Sequence, residues 1–133
     1  MTKIQRSVEL IKVSTLLHIE DYSRKKVSRL KRKILEEGVW TAPLKVDIDN
    51  NLVMDGQHRM EVAKELGLSH VPCLKYHYHE VEVWSLRKDQ NVDRNLIVNK
   101  ALSGDIYPYK TAKHKFPDGG YKKCKYSLNQ LKG

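Results

Sequence analysis

The sequence predicts an α+β fold in which a small mixed sheet is flanked by helices. Segments of strand character alternate along the chain with segments of helical spacing, and the helical segments carry capping residues and closing glycines. The chain has 133 residues, enough for one domain with a buried core and too few for two large ones. Interleaved elements in so short a chain favour a compact mixed sheet over a doubly wound parallel one. We therefore expect a single domain over 1–133, with flexible ends at 1–7 and 132–133.

The charge balance of the chain favours anionic partners. It has 25 Lys and Arg against 16 Asp and Glu, which gives a net charge of +9. Nucleic acid, phosphorylated small molecules and acidic membranes are therefore all candidate partners. No apolar run approaches the roughly 20 residues that span a bilayer, and charges interrupt Met1–Leu17, unlike a signal peptide. We expect a cytoplasmic protein without a membrane partner. Cys73 and Cys124 lie far apart, without zinc-ligand spacing, and are expected to be free thiols.

The first third of the chain predicts one strand and one helix. Val8–Val13 has the β-branched bias of a strand. Ser23 can cap a helix that ends at Gly38, where glycine allows the left-handed stop. The apolar positions of this helix are Val27, Leu30, Ile34 and Leu35. Basic residues fill the rest of its surface, which fits a solvated face and a phosphate-facing role equally well. They are Arg24, Lys25, Lys26, Arg29, Lys31, Arg32 and Lys33.

The middle of the chain predicts a hairpin that runs into a strand, turn and helix. Leu44–Ile48 and Leu52–Met54 are strand-like, and the residues between them favour a turn. Asp55 and Gly56 then form a tight turn before a helix over Gln57–Leu66, which a glycine closes.

The last part of the chain predicts two more strands and one more helix. Val71–Tyr76 is strand-like, and His79–Trp84 alternates charged and apolar residues at period two. Asp93 caps a helix that ends at Gly104. From Tyr107 onward the chain is rich in Lys, Tyr, Pro and Gly and should be mostly loop, with one short element near its end.

The turn after the predicted hairpin has the composition of an anion site. Free backbone N–H groups and the helix dipole attract phosphate at a helix N-terminus, and Gly56 allows close approach. His58 and Arg59 add side-chain donors on the first turn, which begins at Gln57. A carboxylate beside phosphate is repelled unless a cation lies between them, so Asp55 indicates a Mg²⁺ ligand or a proton acceptor. The alternative is an ordinary turn in which Arg59 forms a surface salt bridge.

Three further groups of residues are candidates for chemistry. A donor cluster near the C-terminus can bind phosphate or carboxylate, or can be an exposed basic loop. It contains Lys110, Thr111, Lys113 and His114. Glu20, at the mouth of the basic helix, is usable as a general base or is an acid favoured by the helix dipole. His70, His77 and His79 hint at a metal site, although the pair at 77 and 79 has no obvious third ligand.

The order of these motifs along the chain resembles that of the ParB/sulfiredoxin-like superfamily, and within it that of the free L-serine kinases. Those enzymes make O-phospho-L-serine from free serine with a nucleotide as phosphoryl donor. Three motifs match in order: the acid Glu20, an Asp-Gly-x-His-Arg loop at Asp55–Arg59, and a Pro-x-Lys-Thr-x-x-His loop at Pro108–His114. The likeness runs from about Val8 to Leu131. It implies a kinase that uses Mg²⁺ and either ATP or ADP, between which the motifs do not distinguish.

The resemblance also implies a role for each motif. Gly56–Arg59 would hold the nucleotide phosphates, and Asp55 would position Mg²⁺ or the attacking hydroxyl. Glu20 would be the base. The serine carboxylate and the transferred phosphoryl group would lie against Lys110, Thr111, Lys113 and His114. A Trp-Arg region near the substrate is matched by Trp84 and Arg87.

Two positions depart from the family pattern, and two other functions compete with the kinase. Gln57 stands where the family commonly has His, and it keeps the capacity to form hydrogen bonds. Lys113 stands where the family commonly has Arg, and an ammonium group cannot reproduce the bidentate hydrogen bonds of a guanidinium. A ParB-like DNA-binding or regulatory protein would explain the charge, but the sequence shows no helix-turn-helix. A sulfiredoxin-like reductase would need a Cys in the phosphate loop, near Gln57.

Overall fold

A computed structural model of the chain describes residues 6–120 and 122–133. The strands are β1 Glu9–Lys12, β2 Val39–Trp40, β3 Leu44–Asp47, β4 Val53–Asp55, β5 His70–Tyr76, β6 Glu82–Ser85, β7 Ala112–Lys115 and β8 Tyr126–Ser127. The helices are α1 Arg24–Glu37, α2 Gln57–Glu65, α3 Arg94–Ser103 and α4 Leu128–Leu131. Short 3-10 turns lie at Val13–Thr15 and Tyr78–Glu80.

The central sheet has four strands in the order β1-β5-β3-β4. β5 runs antiparallel to β1 and parallel to β3, and β3 and β4 form an antiparallel hairpin. The sheet is therefore mixed, as the sequence predicts. Two further antiparallel pairs, β2 with β8 and β6 with β7, fix the C-terminal part of the chain against the rest.

Hydrophobic side chains cover the sheet on both faces. On β5, Val71 and Cys73 belong to a buried cluster that includes the apolar stripes of α1 and α2. Leu74 and Tyr76 belong to a second cluster that includes the buried side of α3. Because neighbouring residues of a strand point to opposite faces, this alternation places helices on both sides of the sheet.

The capped elements agree with the prediction. The Ser23 hydroxyl accepts a hydrogen bond from Lys26 N at 3.3 Å and begins α1, and Gly38 ends it at φ +71°. The Asp93 carboxylate accepts from Leu96 N at 2.8 Å and begins α3. These local signals are confirmed, as are the hairpin and the strand, turn and helix that follow it.

Three details of the prediction are wrong. Leu35 is 52% exposed, so the apolar stripe of α1 excludes it. The strand predicted over His79–Trp84 begins only at Glu82, because Glu80 accepts from His77 N at 3.2 Å and closes a 3-10 turn. The predicted C-terminal loop contains β7, whose partner β6 lies about 30 residues earlier, so local sequence carries little sign of it.

Other expectations concern the cysteines and the chain ends. Cys73 is buried, which raises its pKa to about 12, and Cys124 is partly buried; both thiols are free. Residues 1–5 lie outside the described residues, whereas Arg6 is bound to Glu80 at 2.8 Å and to Asp118 at 3.3 Å. Within the described ranges, every helix is too short or too polar to cross a membrane.

Candidate active site

An open cleft of about 560 Å³ lies between the first turn of α2 and the chain around β7. Residues of all three sequence motifs line it. They are Glu20, Asp55, Gly56, Gln57, His58, Arg59, Lys110, Lys113 and His114. The other lining residues are Lys26, Met54, Leu86, Tyr109, Ala112 and Phe116. The fold thus brings together motifs that are separated by up to 94 positions in the chain.

The phosphate-loop candidate, Gly56–Arg59, is built by the end of β4 and the start of α2. Gly56 is the N-cap residue of α2 at φ +117°, a conformation that favours glycine. No side chain caps this helix end, so its first backbone N–H groups remain available to an anion in the cleft. Arg59, on the same turn, is half-buried at the cleft wall.

His58 connects the starts of two helices. Its Nε2 accepts a hydrogen bond from the backbone N–H of Ser23 at 3.0 Å, so the ring carries its proton on Nδ1. Burial lowers the pKa of His58, and the positive charge of Lys26 lowers it further. The ring is therefore neutral at pH 7 and offers a phosphate only one N–H.

Gln57 is turned into the protein. Its amide nitrogen donates to the carbonyl oxygen of Val53, and its amide oxygen lies 2.7 Å from Nδ1 of His18. Both ends of the side chain are thus occupied, so the predicted phosphate contact of Gln57 could come only from its backbone N–H. These two bonds hold the side chain in its inward orientation.

A buried carboxylate one turn further along α2 was absent from the sequence interpretation. Glu61 accepts hydrogen bonds from Nε2 of His18 and from the hydroxyl of Tyr22, each at 2.8 Å. Burial alone would raise the pKa of Glu61, but these bonds and Lys64 outweigh it and lower the pKa to about 2. Gln57 and Glu61 are four residues apart and therefore lie on one face of the helix. This spacing was the sequence signal that could have indicated the role of Glu61.

Glu20 faces the C-terminal side of the cleft. Its carboxylate accepts a hydrogen bond from the backbone N–H of Ala112 at 2.8 Å. Burial raises the pKa of Glu20, backbone amides of residues 110–112 partly oppose this, and the negative charge of Asp55 adds to it. A carboxylate with a raised pKa is a stronger proton acceptor than an exposed one, which suits a general base.

The backbone around Glu20 explains its placement. Asp21 N donates to Tyr107 O at 2.8 Å, and Tyr107 N donates to Ile19 O at 3.1 Å. These bonds form a short parallel bridge between Glu20 and Tyr107. The bridge directs the Glu20 side chain toward the loop that follows Tyr107.

Asp55 lies at the exposed end of β4. Its side chain is 63% exposed, and Lys45 Nζ lies 3.4 Å from one carboxylate oxygen.

The described residues contain no cluster of three or more metal-ligating side chains. Of the predicted metal histidines, His77 and His79 stack on each other with ring centroids 5.2 Å apart, and His70 bonds to Ser69.

The C-terminal motif is only partly loop. Lys113 and His114 lie on β7, where pairing with β6 holds them at the cleft. His114 Nε2 lies 3.0 Å from the Tyr78 hydroxyl, and burial lowers the pKa of His114 to about 4. Thr111 is fully buried, and its hydroxyl donates to Pro108 O at 2.6 Å. The structure therefore gives Thr111 a role in shaping the loop and does not bring its side chain to the cleft.

Trp84 also lies outside the cleft. It is 42% exposed and does not line the cleft, although Lys113, its partner in the strand pair, does. Leu86, two residues further on, lines the cleft in its place. Arg87 donates from Nε and Nη2 to the carbonyl oxygen of Tyr109, at 3.1 and 2.6 Å, and so holds the C-terminal loop.

Tyr109 belongs to the C-terminal loop and packs against the first turn of α2. Its ring lies edge-on to that of His58 at 5.8 Å, and the ammonium groups of Lys26 and Lys110 each lie 5.4 Å from its centre. Its hydroxyl is the one buried side-chain polar atom without a hydrogen-bond partner in the described part of the chain. Lys26 is the only residue of the basic α1 face that lines the cleft, so most of that face is solvated.

Protonation of His114 should make the fold acid-sensitive. The pKa of His114 is about 4 in the folded protein, against an ordinary value of 6.5. Between these values the unfolded chain binds a proton that the folded chain does not, so stability falls as the pH decreases from 6.5 to 4. We expect a smaller decrease in the urea midpoint of His114→Gln, whose amide oxygen can still accept from Tyr78. An equal decrease in both proteins would contradict this.

Comparison with known proteins places the fold. The chain superposes on a free serine kinase in complex with AMP with a TM-score of 0.84 and 12% identity, over 93% of each chain. It superposes equally well, with a TM-score of 0.84 and 12% identity over 98% of this chain and 95% of the other, on a mutant of a free serine kinase in complex with ADP. No protein-family model matches the chain.

One relative is similar in sequence. An ATP-dependent L-serine kinase of Staphylothermus marinus is 38% identical over 78 residues, which are 56% of this chain and 31% of that protein. The chain therefore spans less than a third of that relative's length.

Together, the mixed sheet and the helices that flank it define an α+β domain with the ParB/sulfiredoxin-like fold. More particularly, the fold is that of the free serine kinases of known structure. The resemblance stated from the sequence motifs is thereby confirmed.

Proposed function

We propose that the protein is a kinase that transfers a phosphoryl group from ATP or ADP to the hydroxyl of free L-serine. The observation that carries this proposal is the convergence of Glu20, the α2 N-terminus and the β7 lysine and histidine on one cleft. Phosphoryl transfer needs positioning and charge neutralisation more than covalent help from the protein. A cleft of this composition supplies both.

The nucleotide phosphates would bind at the start of α2. The uncapped N–H groups after Gly56 and the guanidinium of Arg59 provide donors there, and Lys26 adds a positive charge. The AMP and ADP complexes of proteins with this fold support a nucleotide as a ligand of this chain.

Serine would bind on the opposite side of the cleft. Lys110 and Lys113 face the cleft and can neutralise the serine carboxylate and the transferred phosphoryl group. Neutral His114 can accept or donate a hydrogen bond through its free ring nitrogen. Glu20 would take the proton of the serine hydroxyl as the oxygen–phosphorus bond forms, and the bond from phosphorus to the nucleotide oxygen breaks.

A magnesium ion fits the cleft through Asp55. Magnesium is usually held by one or two carboxylates together with substrate phosphates, which agrees with a single exposed carboxylate beside the phosphate loop. When bound, the ion neutralises phosphate charge. Lys45, 3.4 Å from Asp55, would have to turn away to admit it.

The experiment that tests this function measures release of nucleotide product with increasing serine, in the presence of Mg²⁺ and either ATP or ADP. We expect saturable turnover with serine and none with alanine, which has the same carboxylate and amino groups but no hydroxyl. Turnover that does not depend on serine would contradict the proposal. Salt-sensitive binding to duplex DNA without turnover would favour the DNA-binding alternative instead.

A further inference from the structure

A buried carboxylate outside the cleft holds both sides of the segment that carries Glu20. The side chain of Glu61 is about one-tenth exposed and lies on the second turn of α2. One of its oxygens accepts from the ring of His18 at 2.8 Å, and the other from the Tyr22 hydroxyl at 2.8 Å. His18 precedes Glu20 by two residues, and Tyr22 follows it by two. One buried group therefore restrains the chain on both sides of Glu20.

The ring of His18 also ties this segment to the first residue of α2. Gln57 Nε2 donates to Val53 O, so its amide oxygen faces Nδ1 of His18 at 2.7 Å. This oxygen and an ionised Glu61 carboxylate lie against the two ring nitrogens of His18 and hold the ring between them. Charge-assisted bonds of this kind are short and directional. The ring thus fixes the segment against the start of the phosphate loop.

Glu61 is suited to this task because it remains ionised. Lys64 Nζ lies 3.2 Å from one carboxylate oxygen, and Arg24 lies 3.8 Å from the other. The bonds from His18 and Tyr22, together with Lys64, keep the pKa of Glu61 at about 2 despite its burial. Both oxygens therefore accept hydrogen bonds throughout the neutral pH range.

A second set of contacts restrains the same segment from the opposite side. The backbone bridge between Glu20 and Tyr107, and the bond from Ala112 N to the Glu20 carboxylate, join it to the C-terminal loop. The Glu61 contacts join it to α2. Glu20 is therefore held between the two loops that form the cleft, and the Glu61 contacts act together with the bonds of His18 to Gln57 and of Ser23 to His58 to set its position relative to the phosphate loop.

We propose that Glu61 is a positioning residue, which sets the distance between the Glu20 carboxylate and the phosphate loop through His18 and Tyr22. The proposal rests on the proposed function, in which Glu20 is the base. Small displacements of a reacting group can lower the rate of an enzyme by about 10²-fold. Glu61 does not line the cleft, so its loss should act on kcat rather than on binding.

The decisive variant is Glu61→Gln, whose amide can accept a hydrogen bond from only one of His18 and Tyr22. We expect kcat to fall by about 10- to 100-fold with little change in the KM for nucleotide. Glu65→Gln is the matched control, since Glu65 lies on the same helix, is more exposed and binds Lys31 at 3.4 Å. Its kcat should equal that of the wild type.

A double-mutant cycle separates positioning from general destabilisation. In a Glu20→Gln background, adding Glu61→Gln should cause no further loss of kcat, because the base that it positions is already absent. A loss of the same size in both backgrounds would overturn the proposal. If Glu61→Gln does not fold, Tyr22→Phe removes one bond of the same set and should show the same dependence on Glu20, with a smaller effect.

A measurement without substrate makes this inference independent of the reaction. Amide hydrogen exchange of Ala112, whose N–H donates to Glu20, should be faster in Glu61→Gln than in the wild type or Glu65→Gln. Unchanged exchange of Ala112 would overturn the positioning role, even if the wild type makes phosphoserine. Faster exchange in a protein that makes no phosphoserine would uphold the positioning role and refute the proposed function.

Discussion

Replacement of Glu20 by glutamine should lower kcat with serine by about 10²- to 10⁴-fold and leave nucleotide affinity nearly unchanged. A serine hydroxyl is a weak nucleophile, and the glutamine amide cannot take its proton. The amide oxygen can still accept the hydrogen bond from Ala112 N, so the C-terminal loop should keep its position. Steady-state kinetics and calorimetric titration with nucleotide give the two quantities.

Asp21→Asn is the control for this variant. Asp21 is the neighbouring acid, is exposed, and bonds only to the backbone N–H of Tyr22 at 2.9 Å among its side-chain contacts. Its replacement should leave kcat unchanged. If Glu20→Gln keeps the wild-type kcat and only its melting temperature falls, Glu20 is structural, and the base must be sought at Asp55 or His114.

Replacement of Gly56 by alanine should lower the free energy of unfolding by about 2–4 kcal/mol. About 1 kcal/mol comes from the positive φ of +117°, which an alanine adopts poorly. Overpacking adds about 1–3 kcal/mol, because the new Cβ would lie 2.8 Å from Cγ of the buried Leu44. Urea unfolding measures the change, and the distorted phosphate loop should also bind nucleotide more weakly.

Gly67→Ala separates the two causes. Gly67 has φ +67°, but no atom lies within 4 Å of the position that a Cβ would take. This variant should lose only about 1 kcal/mol, since it has the backbone strain without the steric clash. Equal losses in Gly56→Ala and Gly67→Ala would show that the close approach to Leu44 does not restrain Gly56.

The elements with local signals could be predicted from the sequence. Ser23 and Gly38 mark the two ends of α1, because capping and left-handed stops depend on single residues. The Asp55–Gly56 turn was found for the same reason. The motif order then predicted that Glu20 and the two loops serve one site, and all of them line one cleft.

The features that the sequence did not reveal depend on partners distant in the chain. β7 exists through its pairing with β6, which lies about 30 residues earlier in the chain. The side chain of Gln57 turns inward because its amide oxygen bonds to the ring of His18, which lies 39 positions earlier in the chain. Burial of Glu61 likewise depends on the approach of the segment around Glu20, which no local pattern encodes.

Phosphorus NMR of a single reaction tests the proposed function most directly. The wild-type protein is incubated with Mg²⁺, serine and either ATP or ADP, and the spectrum is followed over time. The proposal predicts a phosphoserine resonance that grows as the terminal phosphate of the nucleotide disappears, and a growth rate in Glu20→Gln lower by about 10²- to 10⁴-fold. Absence of phosphoserine with both donors, in a protein that binds nucleotide, would contradict the assignment of serine as substrate.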